Sequence, residues 1–555
     1  MRRPALLLGT GAVVLALVLV LAIVLTQRDE PAADPAPTEA PSSVPAASAP
    51  PADALTTVLS SGFDEGDDGW EALGDGVQVS TADDPTRSGA GSLLVTGRQE
   101  PWHGAAVDVS GLLARGQVHT VSAWVRLGAD GGVEGGEGGA AGDAEVQLTL
   151  ERDGAEPVYV HAARGTVGPD EWVHLTGTAQ VPQGDGEWRL YAETTASLAD
   201  LRLDDVAVQR PAPPVQEDVP ALRDVADVPI GMAVGPQDLT GRPAELLLRH
   251  ADQITPENAL KPAVVQPREG ELDFGPADAV LDVAVEHGLT VHGHTLVWHR
   301  STPDWFFEDA DGRPLTSAPE DQALLLDRLR THTQAIAAHL AERYGADNPV
   351  TSWDVVNEAL DPEQPDGLRH SRWYEILGPD YVAEAFRIAR DAFGPDVALY
   401  LNDYDTDAPG RRRALVRLVA DLQAQGVPVD GVGHQMHASL TTDVDQVAAT
   451  FDAVGALGVQ QAVTELDVAI SGRDEHLDST PSDRLERQGE QVEALVATAR
   501  SRGVASITVW GVYDTRSWLR TWPEDRPFEA PLLFDDDLQA KPAFWGFVRG
   551  LGGGG

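Results

Sequence analysis

Two short apolar segments of this chain each end in a polar cluster with a central glutamate. Ser352-Trp353-Asp354-Val355-Val356-Asn357-Glu358 is one, and Gln461-Ala462-Val463-Thr464-Glu465-Leu466-Asp467 is the other. Each reads as a buried strand that delivers a carboxylate at its C-terminal end. Two carboxylates presented by one scaffold suit acid-assisted hydrolysis of a sugar acetal. One gives a proton to the leaving oxygen, and the other attacks or stabilises the sugar carbon.

The elements around them have one texture from residue 223 to 549. Eight strand-like runs are legible: Ile230 to Val234, Gln253 to Thr255, Thr290 to Val297, Ser352 to Val356, Ala398 to Leu401, Gly431 to Gly433, Gln461 to Thr464 and Ser506 to Trp510. Amphipathic helical patterns separate several of them, clearest at 320–343, 380–393, 411–425 and 481–502. Eight strand-then-helix units predict an α/β fold, a (β/α)8 barrel. A doubly wound open sheet is the alternative, but no Gly-rich phosphate loop follows the first run.

In such a barrel the site lies where the strands end. Polar and aromatic residues follow seven of the runs: Glu257, Asn258 and Lys261; His292, His294, Trp298 and His299; Asn357 and Glu358; Asn402, Asp403 and Tyr404; His434, Gln435 and His437; Glu465 and Asp467; Trp510 and then Trp518. Amides, His and Lys hydrogen-bond hydroxyls, and tryptophan faces stack on pyranose rings. The clustered histidines could instead ligate a metal, but no open metal position is implied. Neither metal nor cofactor is expected.

Residues 223 to 549 resemble the family 10 glycoside hydrolases, endo-β-1,4-xylanases. The resemblance is carried by Thr255-Pro256-Glu257-Asn258-Ala259-Leu260-Lys261, Gly293 to His299, Trp353 to Glu358, Thr464 to Asp467, Trp510-Gly511-Val512, Asp514, Ser517-Trp518 and Lys541-Pro542-Ala543. It implies Glu358 as general acid/base and Glu465 as nucleophile. Asn357 would bond the sugar 2-hydroxyl and, with His437, the ionised nucleophile. Asp467 would orient His437, and Gln435 would lie near Glu358. Glu257, Asn258, Lys261, His294 and Trp298 would line the glycone side, with Trp510 and Trp518 over the sugar at the cleavage point. Two positions depart from the family pattern: Ser301 stands where a glutamine is usual, and Pro262 where a tryptophan is usual. Both bear on the choice of xylose over glucose.

Residues 55–210 read differently. Short alternating segments such as Thr120 to Val125 and Glu145 to Leu150, separated by turn residues, predict an all-β sandwich. The Gly-rich stretch Gly128 to Gly142 reads as a loop. The region resembles carbohydrate-binding modules of the jelly-roll type, through Gly62 to Gly66, Gly69-Trp70, Trp102-His103-Gly104, Trp124-Val125-Arg126 and Asp204-Asp205-Val206. Trp70, Trp124 and Trp172 are expected in its core, and Trp102 and Tyr191 on its sugar face.

The balance of 40 basic against 88 acidic residues gives a net charge of −48. Such a surface repels nucleic acid and anionic lipid and suits a neutral ligand, here xylan or a related plant polysaccharide. Without cysteine there is no disulfide and no thiolate site. Lysine occurs only at 261 and 541, which hints that a compact ammonium is wanted at both. Arg2 and Arg3 precede an apolar run, residues 5–25, near the ~20 residues that span a bilayer. Residues 1–28 therefore read as a signal or anchor, with an uncleaved anchor favoured, and the body outside the cell. Residues 29–54 are a Pro/Ala-rich linker, and 211–222 a second linker between the sandwich and the barrel at 223–551. The protein is expected to act as a monomer. A β-1,4-glucanase of the same mechanism is the alternative enzyme. A polysaccharide-binding protein without catalysis is the alternative of another class.

Overall fold

The computed structural model describes residues 55–128, 142–154, 157–183, 186–472, 475–477 and 479–553. The proposed anchor and first linker, 1–54, and most of the Gly-rich stretch at 128–142 lie outside the described residues. Among those described, no helix is long and apolar enough to cross a membrane.

The second half is a closed parallel barrel. Its strands are Ile230–Val234, Gln253–Pro256, Thr290–Trp298, Val350–Asn357, Ala398–Asp403, Gly431–His434, Gln460–Ala469 and Ile507–Val509, in barrel order one to eight. Each pairs with its sequence neighbour, strand six pairs strand seven, and strand eight closes on strand one. All eight coincide with the runs legible in the sequence. So do the long helices Pro319–Arg343, Tyr381–Phe393, Pro409–Ala424 and Ser482–Ser501. A continuous apolar core fills the space between strands and helices, including Ile254, Val291, Leu399, Val432 and Ile507. At ~25 cal/mol for each Å² of apolar surface, burial of this extent is the main force closing the barrel.

Glycine is required where strands crowd. A Cβ on Gly293 would meet the Trp353 ring at 2.4 Å, and one on Gly433 would meet Asn402 Oδ1 at 2.4 Å. Asn402 is therefore set by the strand beside it, with no ligand needed.

The first half is an antiparallel sandwich. One sheet is built on Leu201–Pro211 and Val118–Leu127, the other on Trp188–Thr194 and Ala144–Arg152. Trp70 is in the core between them, its Nε1 donating to Ser61 Oγ at 3.0 Å. Trp124 is not in the core. On Val118–Leu127 the alternate residues Ala123 and Val125 point inward, so Trp124 faces outward, between the Arg87 guanidinium at 4.2 Å and the His174 ring at 4.9 Å. Trp172 is half-buried in the loop before Val173–Gln180. Tryptophan can cover a sheet's outer face when a cation and a ring shield it, which its type alone does not disclose.

Residues 211–222 run along the barrel rather than hanging free. Arg242 donates to the carbonyls of Pro213 and Asp537, and Gln539 to that of Pro214. Arg249 takes those of Glu217 and Val219, and Gln216 accepts from the Ala540 N–H. Val219 and Leu222 are part of the barrel core.

Candidate active site

Glu465 lies on barrel strand seven, two residues past that strand's last pairing with strand six, and is 4% exposed. Both its oxygens are taken: Asn402 Nδ2 donates to Oε1 at 2.7 Å, and His437 Nε2 lies 3.2 Å from Oε2. His437 Nδ1 is 2.9 Å from Asp467 Oδ2, which also accepts from Trp518 Nε1 at 2.9 Å. Burial disfavours charge on His437. The carboxylates of Asp467 and Glu465 outweigh it and push the imidazole up to about 10. At neutral pH His437 is thus an imidazolium that donates from both nitrogens and keeps Glu465 beside a positive charge.

That charge has a measurable consequence. The ordinary value for His437 is 6.5, and the folded value lies above it. Its pairing therefore stabilises the fold fully below the ordinary value and is lost as pH rises through about 10. His437→Gln is expected to lower the melting temperature most near about pH 6, with the gap to the parent narrowing steadily towards about pH 10. Thermal unfolding at several pH values checks this. A gap that widens with pH contradicts it.

Asn402 stands on the predicted rim, where the sequence gives it no role. Its Oδ1 accepts from Thr464 Oγ1 at 2.7 Å, which fixes the amide and turns Nδ2 towards Glu465 and, at 3.0 Å, Asn357 Oδ1. The amide at the nucleophile is thus Asn402, and Asn357 does not bond Glu465. Asn357 Oδ1 also accepts from Gln435 Nε2 at 3.0 Å, so Gln435 is bonded to Asn357 and not to Glu358. With its oxygen doubly occupied, Asn357 keeps its amide N–H groups for a ligand hydroxyl. Asn402→Ala is expected to lower kcat/KM by about 10²-fold, the cost of losing one donor to a reacting oxyanion, while the barrel still melts cooperatively. A change of less than about threefold would remove Asn402 from the catalytic set.

Glu358 follows strand four with φ 59, a left-handed conformation uncommon for any residue but glycine. It is held there by two bonds: its N–H donates to Asn402 O at 2.8 Å, and its carbonyl accepts from Arg369 Nε at 2.9 Å. Arg369 is braced by Tyr404 OH at 2.9 Å, and Arg411 stacks on the Tyr404 ring at 3.8 Å. Backbone strain of this kind is kept where the surrounding structure over-determines it, as these bonds do here. The Glu358 side chain is 15% exposed, and the nearest histidine, His299, has Nδ1 3.8 Å from Oε2. Burial drives the His299 imidazole down to about 4, so it stays neutral beside Glu358. Arg369 escapes a sequence reading because it lies eleven positions beyond the motif, on a loop without a pattern.

The floor and glycone wall come from strands two to four. His294 Nδ1 is 2.9 Å from Asp354 Oδ2, and His292 Nε2 is 2.9 Å from Asp354 Oδ1. Although burial opposes charge there, the two histidines hold Asp354 down at about 2. With Nδ1 taken, His294 has only Nε2 left for a hydroxyl. His294, Asp354 and Glu465 converge within 4.8 Å, as metal ligands do. Each of the three also has protein partners: His294 and Asp354 bond each other, and Glu465 takes Asn402 and His437. Lys261 Nζ donates to Asn258 Oδ1 at 2.9 Å and lies 5.0 Å from the Trp298 ring. Glu257 is half-buried beside them, and Asn258 is exposed. Trp510 meets His294 edge-on at 5.4 Å, and Trp518 meets His437 at 5.0 Å. The other lysine, Lys541, is buried away from the cleft and spends its ammonium on both Asp514 oxygens and on Ala530 O. A compact three-donor head suits that bonding.

Two further residues extend the cleft. Trp522, 49% exposed, has its ring 5.4 Å from that of Trp518, and Arg300 reaches its face at 5.4 Å. Ser301 has φ 49 and gives its carbonyl to the Ala263 N–H at 2.9 Å, while Pro262 opens the short helix Pro262–Val265. No long polar side chain stands at either position.

In the sandwich, Trp102 is 49% exposed, on a loop whose Pro101 carbonyl accepts from the Thr194 N–H at 3.1 Å. Tyr191 is only 4% exposed and offers no open ring. It faces away from the core, since Trp188, Leu190 and Ala192 on the same strand point inward. Beside it Glu193 accepts from Gln147 and Thr149 at 2.7 Å each, and Arg189 pairs with Glu151 at 2.9 Å. Tyr159, 52% exposed, and His161 are open rings on Val158–Val167, which lies beyond Ala144–Arg152 from the strand of Tyr191. Sequence does not single them out, because one alternating strand looks like any other until its outer face is known.

A closed parallel barrel that presents two glutamates from strands four and seven, one cradled by an amide and an imidazolium, is the arrangement a glycosidase uses. Residues 221–549 match the family described as glycosyl hydrolase family 10, and residues 56–198 match a carbohydrate binding domain. The chain belongs to glycosyl hydrolase family 10. It is 35% identical over 511 residues to an endo-1,4-beta-xylanase A of Thermoanaerobacterium saccharolyticum, covering 90% of this chain and 42% of that protein. The chain thus spans less than half the length of that relative. It is 39% identical over 346 residues to a thermostable celloxylanase of Thermoclostridium stercorarium, covering 60% of this chain and 88% of that protein. Xylanase B from Clostridium stercorarium F9, a solved structure, superposes with a TM-score of 0.56 at 38% identity. The match covers 60% of this chain and 99% of that one.

Proposed function

We propose that the barrel hydrolyses β-1,4-xylosidic bonds within xylan, with retention at the anomeric carbon. The observation that carries this reading is the setting of Glu465: buried, bonded at both oxygens, and paired with an imidazolium. Glu465 attacks the anomeric carbon as Glu358 passes its proton to the leaving sugar oxygen. A covalent glycosyl-enzyme results, and Glu358 then draws a proton from the water that displaces Glu465. Asn357 holds the 2-hydroxyl, and Trp510 and Trp518 cover the reacting ring. The test is reducing-sugar release from xylan, carboxymethylcellulose and mixed-linkage glucan. Activity on xylan with little on the others supports the reading, and activity on none overturns it.

β-1,4-Glucan is the second reading, favoured by the short side chains at Ser301 and Pro262 and by the celloxylanase relative. The sandwich would bind the same polysaccharide along the face of Tyr159, His161, Tyr191 and Glu193, with Trp102 at its end. The apolar run at residues 5–25 supports export, with the body outside the cell and either anchored or released. We take the working unit to be the monomer.

A further inference from the structure

Three consecutive aspartates, Asp535 to Asp537, form a turn near the C-terminal end of the chain, and each points to a different partner. Asp535 Oδ1 accepts from the N–H groups of Asp537 and Gln539, at 2.9 and 2.8 Å, which locks the turn itself. Asp536 faces the loop after barrel strand eight, accepting from Thr515 Oγ1 at 2.7 Å and Arg520 Nη1 at 2.9 Å. Asp537 faces the sandwich, accepting from Thr56 Oγ1 at 2.9 Å and pairing with Arg210. The loop gripped by Asp536 carries Trp518, whose indole N–H ends on Asp467, the carboxylate that orients His437 against Glu465. Hydrogen bonds, joined by short stretches of chain, thus run from the sandwich to the proposed nucleophile.

We propose that this turn is a joint through which the docked sandwich steadies Trp518 over the reacting sugar, so that the sandwich contributes to binding short soluble chains as well as to targeting. A tether alone raises local concentration on a solid and does nothing for a soluble oligosaccharide. A joint has no such limit, because it acts through the position of Trp518. The pinned course of residues 211–222 supports a fixed dock, since a sandwich free to swing could not transmit a position. The inference rests on the proposed reading of the cleft as a β-1,4-xylan site.

Kinetics on xylotetraose in the full chain test it. Asp537→Ala is expected to raise KM roughly three- to tenfold, in the range of indirect positioning effects, with kcat changed far less. Asp536→Ala, at an exposed position, should do the same, and the double variant should be no worse than the larger single change. Asp537→Glu should restore part of the loss. If Asp537→Ala fails to fold, Arg210→Ala removes the same ion pair from the sandwich side, with the same expectations. An unchanged KM in Asp537→Ala or Arg210→Ala overturns the joint, as do fully additive effects of the two aspartates. A parent protein inactive on both xylan and xylotetraose overturns the xylan reading and the joint with it, and one active on xylan but not on xylotetraose overturns the joint alone. An active parent with unresponsive variants overturns the joint alone.

Discussion

Glu465→Ala is expected to lower kcat on xylan by about four orders of magnitude or more, the scale on which removing a nucleophile acts. The fold should persist. His437 keeps Asp467, and the Asn402 amide keeps Asn357, so each neighbour stays anchored and turns one freed N–H to the space the carboxylate leaves. Azide is the decisive probe. With an activated aryl β-xyloside, azide should enter the space left by the carboxylate and attack from the α face. The product would be the α-glycosyl azide, with the rate partly restored. The parent enzyme should release the β-anomer first, read by proton NMR, because two displacements cancel. Near-normal turnover in the variant, or a β-azide product, rules out Glu465 as nucleophile.

Glu358→Gln should divide substrates by their leaving groups. On xylan the departing sugar oxygen needs a proton, and loss of its donor is expected to cost about 10²- to 10⁴-fold. An aryl glycoside with an acidic phenol needs little protonation, so its first step should stay fast. The second step needs Glu358 as base, so the glycosyl-enzyme should accumulate and give a burst of phenol. Equal slowing of the first step for both substrate types removes Glu358 from the role of proton donor.

Much of the fold and of the site is legible in the order of residues alone. All eight barrel strands stand at their runs because parallel strands are buried on both faces and read as unbroken apolar segments. The strand-end rule then gathers Glu358, Glu465, Asn357, His437, Asp467, Trp510 and Trp518 at one rim. What the order of residues leaves open shares a cause. Trp124 and Tyr191 depend on which face of a strand is covered, and alternation gives the two faces but not their environments. Asn402 is visible at the rim, yet its role depends on amide orientation, which Thr464 fixes from two strands away.

The barrel, its rim and the two glutamates follow from local sequence, because strand burial and strand ends are properties of a few residues each. The wiring of the rim does not. Asn402, not Asn357, holds Glu465; Arg369 holds the Glu358 backbone; His437 keeps its proton between two carboxylates. The dock of the sandwich on the Asp535–Asp537 turn belongs to the same class, since Arg210 and Asp537 are 327 positions apart in the chain. Hydrogen bonds and pKa shifts depend on distances of a few ångströms between groups remote in sequence. Those distances exist only once the barrel has closed.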